Sequence, residues 1–509
     1  MPSQIQNRIG FIRNEVKFME RSSGILMHIS SLPGKYGIGT FGMEAFAFVD
    51  FLKKSGQKYW QILPLGQTSY GDSPYQCFSA FAGNPYFIDF ELLEKDNLLK
   101  KEDYSTLDYG INENCIDYAK LFINKNKVLR IAYENSKNKY NEEINEFVEE
   151  NKFWLEDYAL YMAVKNHFNL VSWQNWDDNI RLRKKEAIDS YKVLLKDEIN
   201  YWIFIQYIFF KQWYSLKKYT NDNGIKIIGD IPIYVAEDSA DIWSNPQYFN
   251  VDENMLPITV AGCPPDTFSA TGQLWGNPIY NWDNLERDGY SWWIDRVRES
   301  FKLYDVVRID HFRGFEAYWE IPYGNKTAEF GQWTKGPGIK LFDAIKNSLG
   351  EVDIIAEDLG MMTQGVIDLR DTTGFPGMKI LQFGFGDGDS RDLPHNYPIN
   401  CVAYTGTHDN DTICGWYNVT GSKNEIEKAK NYLNLTYEEG IAKGLIRGVW
   451  GSPAYLAVTT MQDFLGLGNS ARMNMPSTLG GNWMWRASKK DFSEKLAKEI
   501  YSLTKLYGR

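Results

Sequence analysis

The sequence predicts an α/β fold, a (β/α)₈ barrel with large insertions, and three observations support it. Short apolar segments that end in polar residues recur along the chain, with helical stretches between them. Continuous apolar runs without strict alternation are typical of parallel strands that are buried on both faces. No GxGxxG phosphate loop follows the first strand, which disfavours the alternative of an open doubly wound sheet.

Each predicted barrel strand is a short apolar run, and helical stretches separate the runs. The last run has the least clear pattern of the set. Polar residues stand at the end of most runs, where a barrel carries its functional loops. The predicted strands lie at 24–33, 59–65, 225–235, 306–312, 353–360, 378–383, 401–409 and 456–467.

Two intervals between strands are too long for simple connections, because a whole βαβ unit takes about 30 residues. In 66–224, apolar residues such as Ile144, Phe147 and Val148 recur at helical spacing, so we expect an inserted, mostly helical subdomain. The interval 236–305 is rich in Gly, Pro, Trp and Asn, and we expect an irregular lid there. Both insertions should border the functional face of a single barrel over 1–509.

The composition excludes disorder as the main state, because 43% of the 509 residues are hydrophobic and 15% are aromatic. The formal net charge is −11, which disfavours a nucleic-acid or anionic membrane surface. A neutral substrate fits this charge balance best. The five cysteines form no CxxC pair, which is typical of a reducing compartment.

Export and membrane insertion are not expected from this sequence. The first residues lack the apolar core of a signal peptide. The most apolar run, 201–210, lies between charged flanks and is shorter than the roughly 20 residues that a membrane span needs. We therefore expect a buried helix at this run and a cytoplasmic protein.

Three carboxylates, Asp310, Glu357 and Asp409, stand at predicted strand ends. The carboxyl ends of barrel strands converge on one face, so these side chains are expected to meet although they lie far apart in sequence. Glycoside chemistry needs such a set: one carboxylate attacks the anomeric carbon, and a second with raised pKa protonates the leaving oxygen. A third can favour the oxocarbenium-like transition state. The alternative is that each acid only caps a helix or a turn after its strand.

Arginine and histidine neighbours distinguish these acids from ordinary caps. Arg308 lies two residues before Asp310, so both side chains project from the same strand face, and the arginine should keep Asp310 ionised. His408 and His311 each adjoin one of the acids and raise the alternative of a metal site. No HExxH motif or clustered His/Cys spacing is present, so we expect no metal, and the histidines should donate hydrogen bonds to neutral hydroxyls.

Aromatic residues in polar loops are the other informative class. Tyr75 follows the second predicted strand, and Trp275 lies within the predicted lid, two residues before Asn277. Sugar rings present apolar C–H faces that stack on flat side chains, while Asn, Gln and Asp bind the hydroxyl groups. We therefore expect these three residues to bind a sugar. The alternative is that the aromatic side chains belong to the core.

Specific motifs are spread over nearly the whole chain: SSGILMHISSLPGKYGIGTFG, GDSPYQCFSAFAGNPYFID, FWLEDYALYMAVK, GDIPIYV, SATGQLWGNPIYNW, VRIDHFRGF, IAEDLG, TGTHDNDTICGW and RMNMPSTLGGNWMWR. Together they resemble one family, the amylomaltases or 4-α-glucanotransferases (disproportionating enzymes) of the α-amylase clan. The resemblance implies a (β/α)₈ barrel without the separate C-terminal β-domain that is typical of α-amylases.

The resemblance also implies a role for each matched residue. Asp310 resembles the nucleophile that forms a covalent glucosyl-enzyme, Glu357 the general acid/base, and Asp409 the transition-state stabiliser. The implied pocket residues are Arg308, which supports the nucleophile, His408, Asp230 and Tyr75, which hold substrate, and the lid stretch 261–282 with Phe268, Trp275 and Asn277.

The implied activity is transfer of α-1,4-linked glucan segments to the 4-hydroxyl of glucose or another glucan, by a retaining mechanism that needs no cofactor. Donors and acceptors would be maltooligosaccharides and α-1,4-glucans, with no nucleic-acid or membrane partner. Alternatives stay open: an α-1,4-glucan hydrolase of the same clan, a non-catalytic glucan-binding protein, or a metal-dependent sugar-processing barrel.

Two positions depart from the family pattern. Thr267 precedes Phe268, where the family commonly has Tyr, so the grip of the lid on an acceptor and the formation of large cyclic glucans come into question. Ser477 stands where glycine is usual in the C-terminal motif.

Overall fold

The computed structural model describes residues 20–137, 139–265, 269–386 and 390–509. Its centre is a ring of eight parallel strands in the order β10-β11-β12-β1-β2-β3-β6-β9. Each of the eight predicted segments contains or overlaps one of these strands, and the prediction of a (β/α)₈ barrel is confirmed. The strands are β1 Ser22–Leu26, β2 Tyr59–Gln61, β3 Lys226–Ile231, β4 Thr259–Cys263, β5 Gln273–Pro278, β6 Val306–Ile309, β7 Ala317–Pro322, β8 Gln332–Lys335, β9 Ile354–Ala356, β10 Gly377–Ile380, β11 Cys401–Tyr404 and β12 Leu456–Thr460.

The helices surround the barrel and fill its insertions. They are α1 Met43–Lys54, α2 Phe90–Lys95, α3 Lys101–Tyr104, α4 Tyr118–Ser136, α5 Asn141–Asn151, α6 Leu155–His167, α7 Asp178–Arg181, α8 Lys185–Leu194, α9 Lys196–Asp222, α10 Ala240–Ser244, α11 Trp282–Arg287, α12 Ser291–Leu303, α13 Ile339–Leu349, α14 Gln364–Thr373, α15 Ile413–Gly415, α16 Lys423–Leu433, α17 Ile441–Trp450, α18 Met461–Phe464 and α19 Glu494–Leu506.

The barrel strands are apolar on both faces, which explains their continuous hydrophobic runs. Successive side chains of a strand point to opposite faces. On β3, Ile228 belongs to the apolar cluster inside the barrel, while Ile227 belongs to the larger cluster between barrel and helices. Leu26 and Ile25 divide in the same way on β1. No strict polar alternation is therefore needed.

The ring closes between β9 and β10 through one backbone hydrogen bond and one hydrogen bond to a side chain. The Ala356 N–H donates to the Pro376 carbonyl at 2.9 Å. Next along the join, the Met378 N–H donates to Asp358 Oδ1 at 2.7 Å instead of to a strand carbonyl. Arg370 holds the other oxygen of Asp358 at 2.6 Å. A carboxylate thus replaces a backbone acceptor in the barrel wall.

The interval 66–224, expected to be a helical insertion, contains α2 to α9. The longest of these helices, α9, packs against α6, α1, α4 and α5. The apolar run 201–210 forms its middle and is mostly buried. Within the described ranges, no helix is long and apolar enough to cross a membrane.

The interval 236–305, expected to be irregular, contains regular elements. It holds three helices and the two strands β4 and β5, which join β7 and β8 in an antiparallel sheet of order β5-β4-β7-β8. The pairing of β4 with β7 brings together residues about 60 apart in sequence, which no local pattern reveals. Phe268 and Thr267 lie outside the described residues.

Candidate active site

The predicted carboxylates lie at one rim of the barrel. Asp310 directly follows β6, Glu357 directly follows β9, and Asp409 lies in the loop after β11. Asp230 is buried within β3, next to β6. Because parallel strands end at the same rim, these positions border one site.

Arg308 links the two acids Asp230 and Asp310 at one side of the site. Its Nη1 donates to both oxygens of Asp230, at 2.8 and 2.7 Å, and its Nη2 lies 3.0 Å from Asp310 Oδ1. Arg308 and Asp230 are register partners on β6 and β3, so the strand pairing itself brings them into contact. Burial raises the pKa of Asp310, and the positive charge of Arg308 opposes that rise.

Glu357 is held by two backbone donors. The N–H groups of His311 and Leu359 donate to its oxygens at 2.7 and 3.0 Å. His311 has a left-handed backbone, with φ of 51°, which non-glycine residues rarely adopt. Burial, followed by the negative charge of Asp310, raises the pKa of Glu357 to about 7 in spite of these hydrogen bonds.

Asp409 has the opposite electrostatic setting. Burial alone would raise its pKa, but His408, 3.3 Å away, and the Asn474 amide, which donates at 2.7 Å, lower it to about 2. Asp409 in turn outweighs burial at His408 and raises the pKa of that imidazole. The site therefore contains one carboxyl that holds its proton near neutrality and one that is ionised there.

Tyr75 joins the two sides of the site. Its hydroxyl donates to Asp230 Oδ2 at 2.8 Å, and its ring stacks on His408 with centroids 4.9 Å apart. Trp483 contacts both rings, at 5.9 and 5.7 Å. The sequence-predicted residues Tyr75, Asp230 and His408 thus form one connected cluster beside Asp310 and Asp409.

The lid residues have different positions. The Trp275 ring contacts His311 edge to face at 4.7 Å, and its Nε1 donates to Gln273 at 3.2 Å. Trp275 is half-buried at the side of the site that carries Glu357. Asn277 is buried, donates to the Val235 carbonyl at 2.8 Å and accepts from Gln76 at 3.1 Å. These protein contacts occupy the Asn277 amide, so Asn277 connects β5 to the loops that carry Val235 and Gln76.

Three contacts were missed at the sequence level. Asn474 and Arg472, on the loop after α18, bind the side chain and the carbonyl of Asp409, and Trp483 covers Tyr75. Asn474 and Trp483 lie in the motif 472–486, but nothing in their spacing identifies the partner. Ser477, in the same exposed segment, has φ of 63°, a conformation that glycine adopts at no cost. This explains physically why glycine suits that position.

A family model described as 4-alpha-glucanotransferase matches residues 27–491. The chain belongs to the 4-alpha-glucanotransferase family. A 4-alpha-glucanotransferase of Clostridium butyricum is 60% identical over 486 residues, which are 95% of this chain and 100% of that relative. One from Thermus thermophilus is 48% identical and matches over 92% and 95% of the two chains.

The solved structures agree with this family. An amylomaltase from Streptococcus agalactiae in complex with acarbose is similar with a TM-score of 0.94 and 46% identity, covering 96% of this chain and 100% of that one. The chain is therefore an enzyme that acts on glucans and transfers α-1,4-linked segments between them. The predicted 4-α-glucanotransferase function is confirmed over the hydrolase alternative.

Proposed function

We propose that the transfer runs by double displacement, with Asp310 as nucleophile, Glu357 as general acid and base, and Asp409 as transition-state stabiliser. The observation that carries this assignment is that three carboxyls meet at one barrel rim in opposite settings: burial and Asp310 raise the pKa of Glu357, whereas His408 and Asn474 lower the pKa of Asp409. Two carboxyls in different protonation states are what acid and electrostatic roles require. Asp310, the third, lies 3.0 Å from the Arg308 guanidinium.

In the first step, Asp310 attacks the anomeric carbon of the donor and forms an ester bond to it. The glycosidic C–O bond breaks, and the Glu357 proton goes to the departing oxygen, which becomes a free 4-hydroxyl. Ionised Asp409 stabilises the positive charge that develops on the sugar ring. His408 and Tyr75 hold the ring on the donor side, whereas Asp230, which is fully buried and bonded to Arg308 and Tyr75, positions those two residues.

In the second step, Glu357, now a carboxylate, takes the proton of an acceptor 4-hydroxyl. That oxygen attacks the same anomeric carbon and displaces Asp310. A new α-1,4 bond forms, and Glu357 is protonated again. The two inversions at one carbon give net retention. Side chains perform all these roles, and the proposal includes no cofactor or metal.

Acceptor binding must outcompete water at about 55 M, and positioning supplies effective molarities of about 10⁵ M or more. We expect Trp275, beside His311 at the Glu357 side, to orient the acceptor, and the sequence-based expectation that Phe268 also contacts the acceptor stays a prediction. The proposal includes maltooligosaccharides as donors and acceptors and glucose as an acceptor. We also propose a cytoplasmic location, because the five cysteines form no CxxC pair.

The covalent step is tested by trapping. Glu357→Gln treated with an α-maltosyl fluoride should gain the mass of one maltosyl group, because fluoride leaves without an acid while the second step lacks its base. Peptide mapping should locate the group on Asp310. The double variant Asp310→Asn/Glu357→Gln is the matched control and should gain nothing. Mass on another residue, or an equal gain in the control, would refute the nucleophile assignment.

A further inference from the structure

The antiparallel sheet carries an exposed aromatic surface that the proposed mechanism does not use. All 17 tryptophans lie among the described residues, and of these only Trp333 on β8 is exposed, at 40%. Nearby in the chain, Phe330 is 76% exposed, and Met361, beyond β9, is 56% exposed. Single exposed apolar side chains are normal on protein surfaces, so the case for a binding site depends on how the Trp333 ring is held.

The Trp333 ring is held in place from beneath and from the side. The Arg313 guanidinium lies 4.0 Å from its centroid, and Trp319, its register partner on β7, contacts it at 5.3 Å and 66°. Arg313 is only 5% exposed and donates to the Met361 carbonyl at 2.6 Å. The ring is therefore a pre-oriented flat surface, and binding costs little side-chain entropy.

The same contacts join this surface to the catalytic rim. Arg313 follows His311 by two residues, and Met361 follows Glu357 by four. At the opposite edge of the sheet, β5 carries Trp275, which contacts His311. Leu274, the neighbour of Trp275, is in register with Gly262, Trp319 and Trp333 across the sheet, and three strand spacings of about 4.8 Å give about 14 Å between β5 and β8. A few sugar residues span such a distance.

The position relative to Glu357 decides which glucan segment reaches the surface. Glu357 serves the departing and the entering oxygen, so sugars on its side belong to the leaving group and the acceptor. Trp333 is tied to the Glu357 loop through Arg313, whereas Asn474 and His408 surround Asp409 on the other side.

We propose that Trp333 is a stacking platform for the acceptor glucan, a few sugar units beyond the bond that forms. This inference rests on the double-displacement mechanism proposed above. An α-glucan is uncharged and presents C–H faces, which suit the exposed face of an aromatic ring. Acceptors long enough to reach Trp333 gain its contact, and glucose does not.

Acceptor length separates this proposal from a general effect on catalysis. With α-maltosyl fluoride as donor, the leaving fluoride occupies no sugar-binding position, so the acceptor KM is measured by itself. Trp333→Ala should raise the KM for maltotetraose about tenfold, while the KM for glucose stays within about twofold and kcat is unchanged. Trp333→Tyr keeps a flat ring and should restore most of the affinity.

Tyr501→Ala is the matched control. Tyr501 is 47% exposed on α19 and lies beside Gly56, in the loop that precedes β2, at the opposite end of the barrel. Its removal should leave both KM values unchanged. Trp333→Leu keeps an apolar cover for Arg313 without a flat face, so it should give the same loss as Trp333→Ala and decides the matter if the alanine variant does not fold.

Two outcomes would overturn the proposal: an equal change in KM for glucose and maltotetraose, or no change for either in the folded variants. Failure of the underlying mechanism looks different. In that case the wild-type enzyme forms no product from the fluoride with any acceptor, and Glu357→Gln traps no maltosyl group.

Discussion

Asp310 and Asp409 reach the same site with different supports. Asp310 directly follows β6, its partner Arg308 lies on that strand, and Asp230 comes from the adjacent strand. Asp409 lies in a loop, and its partner Asn474 comes from another loop 65 residues later. Asp310 is therefore positioned by the paired strands of the barrel, and Asp409 by a contact between two loops.

This difference indicates which of the two acids can change position without loss of its proposed role. In the proposed mechanism, bond formation at the anomeric carbon needs Asp310 at a fixed distance, and a position at a strand end provides it. Stabilisation of a spread positive charge needs a negative field, which a loop can supply after small movements. We expect substitutions on the strand side to be severe and those on the loop side to be graded.

The largest effect is expected at Asp310. Asp310→Asn should lower turnover by about four orders of magnitude, since it removes a covalent-catalysis group and keeps the volume. Thermal denaturation should show a melting temperature close to that of the wild type. Asp343→Asn, at an exposed position on α13, is the control and should retain full activity. A tenth of wild-type turnover in Asp310→Asn would contradict the strand-side assignment.

The next effect concerns Glu357, which is on the strand side but has backbone donors. Glu357→Gln should lower kcat with maltotriose by about three orders of magnitude, within the range of general acid catalysis. Since the pKa of Glu357 is about 7 and the protonated form is needed first, wild-type kcat/KM should fall as pH rises above about 7. Donor cleavage from a glycosyl fluoride by Glu357→Gln should lack this alkaline fall. Persistence of the fall would assign it to another group.

A moderate effect is expected on the loop side. Asn474→Ala removes a hydrogen bond that keeps the pKa of Asp409 at about 2, so that pKa should rise. The pKa of Asp409, followed by carboxyl NMR titration, should rise, and kcat at neutral pH should fall about tenfold. Asn469→Ala, at an exposed position in the same region, should behave as wild type. An unchanged pKa of Asp409 would show that Asn474 does not act through Asp409.

The smallest effect is expected at Ser477, where φ is 63°. Ser477→Gly should stabilise the folded protein by about 0.5 kcal/mol, because relief of left-handed strain exceeds the extra entropy of the unfolded chain. Ser477→Ala has the same strain and should give no gain. Calorimetry of the three proteins compares them directly. Equal gains for glycine and alanine would mean that the hydroxyl group, not the backbone, is unfavourable there.

The sequence predicted what the barrel strands determine. The runs were recognisable because both strand faces are apolar, and Arg308 and Asp310 share a face because side chains alternate. The contacts of Asn474 and Trp483 could not be predicted, since they depend on loops that meet only in the folded chain. The same holds for the backbone donors of Glu357, which require the left-handed turn at His311. The strand β4 was missed because its partner β7 is distant in sequence.

Glu357 and Asp358 form a dipeptide in which one side chain belongs to the candidate site and the next one closes the barrel wall by accepting the Met378 N–H. Slippage of this segment by one residue would reverse the faces of its side chains, so neither carboxylate would keep its place. The correct register of β9 is thus needed for activity as well as for folding. A molecule with the wrong register would lose the hydrogen bond between β9 and β10 together with its activity, so the contact that closes the barrel also selects the active register.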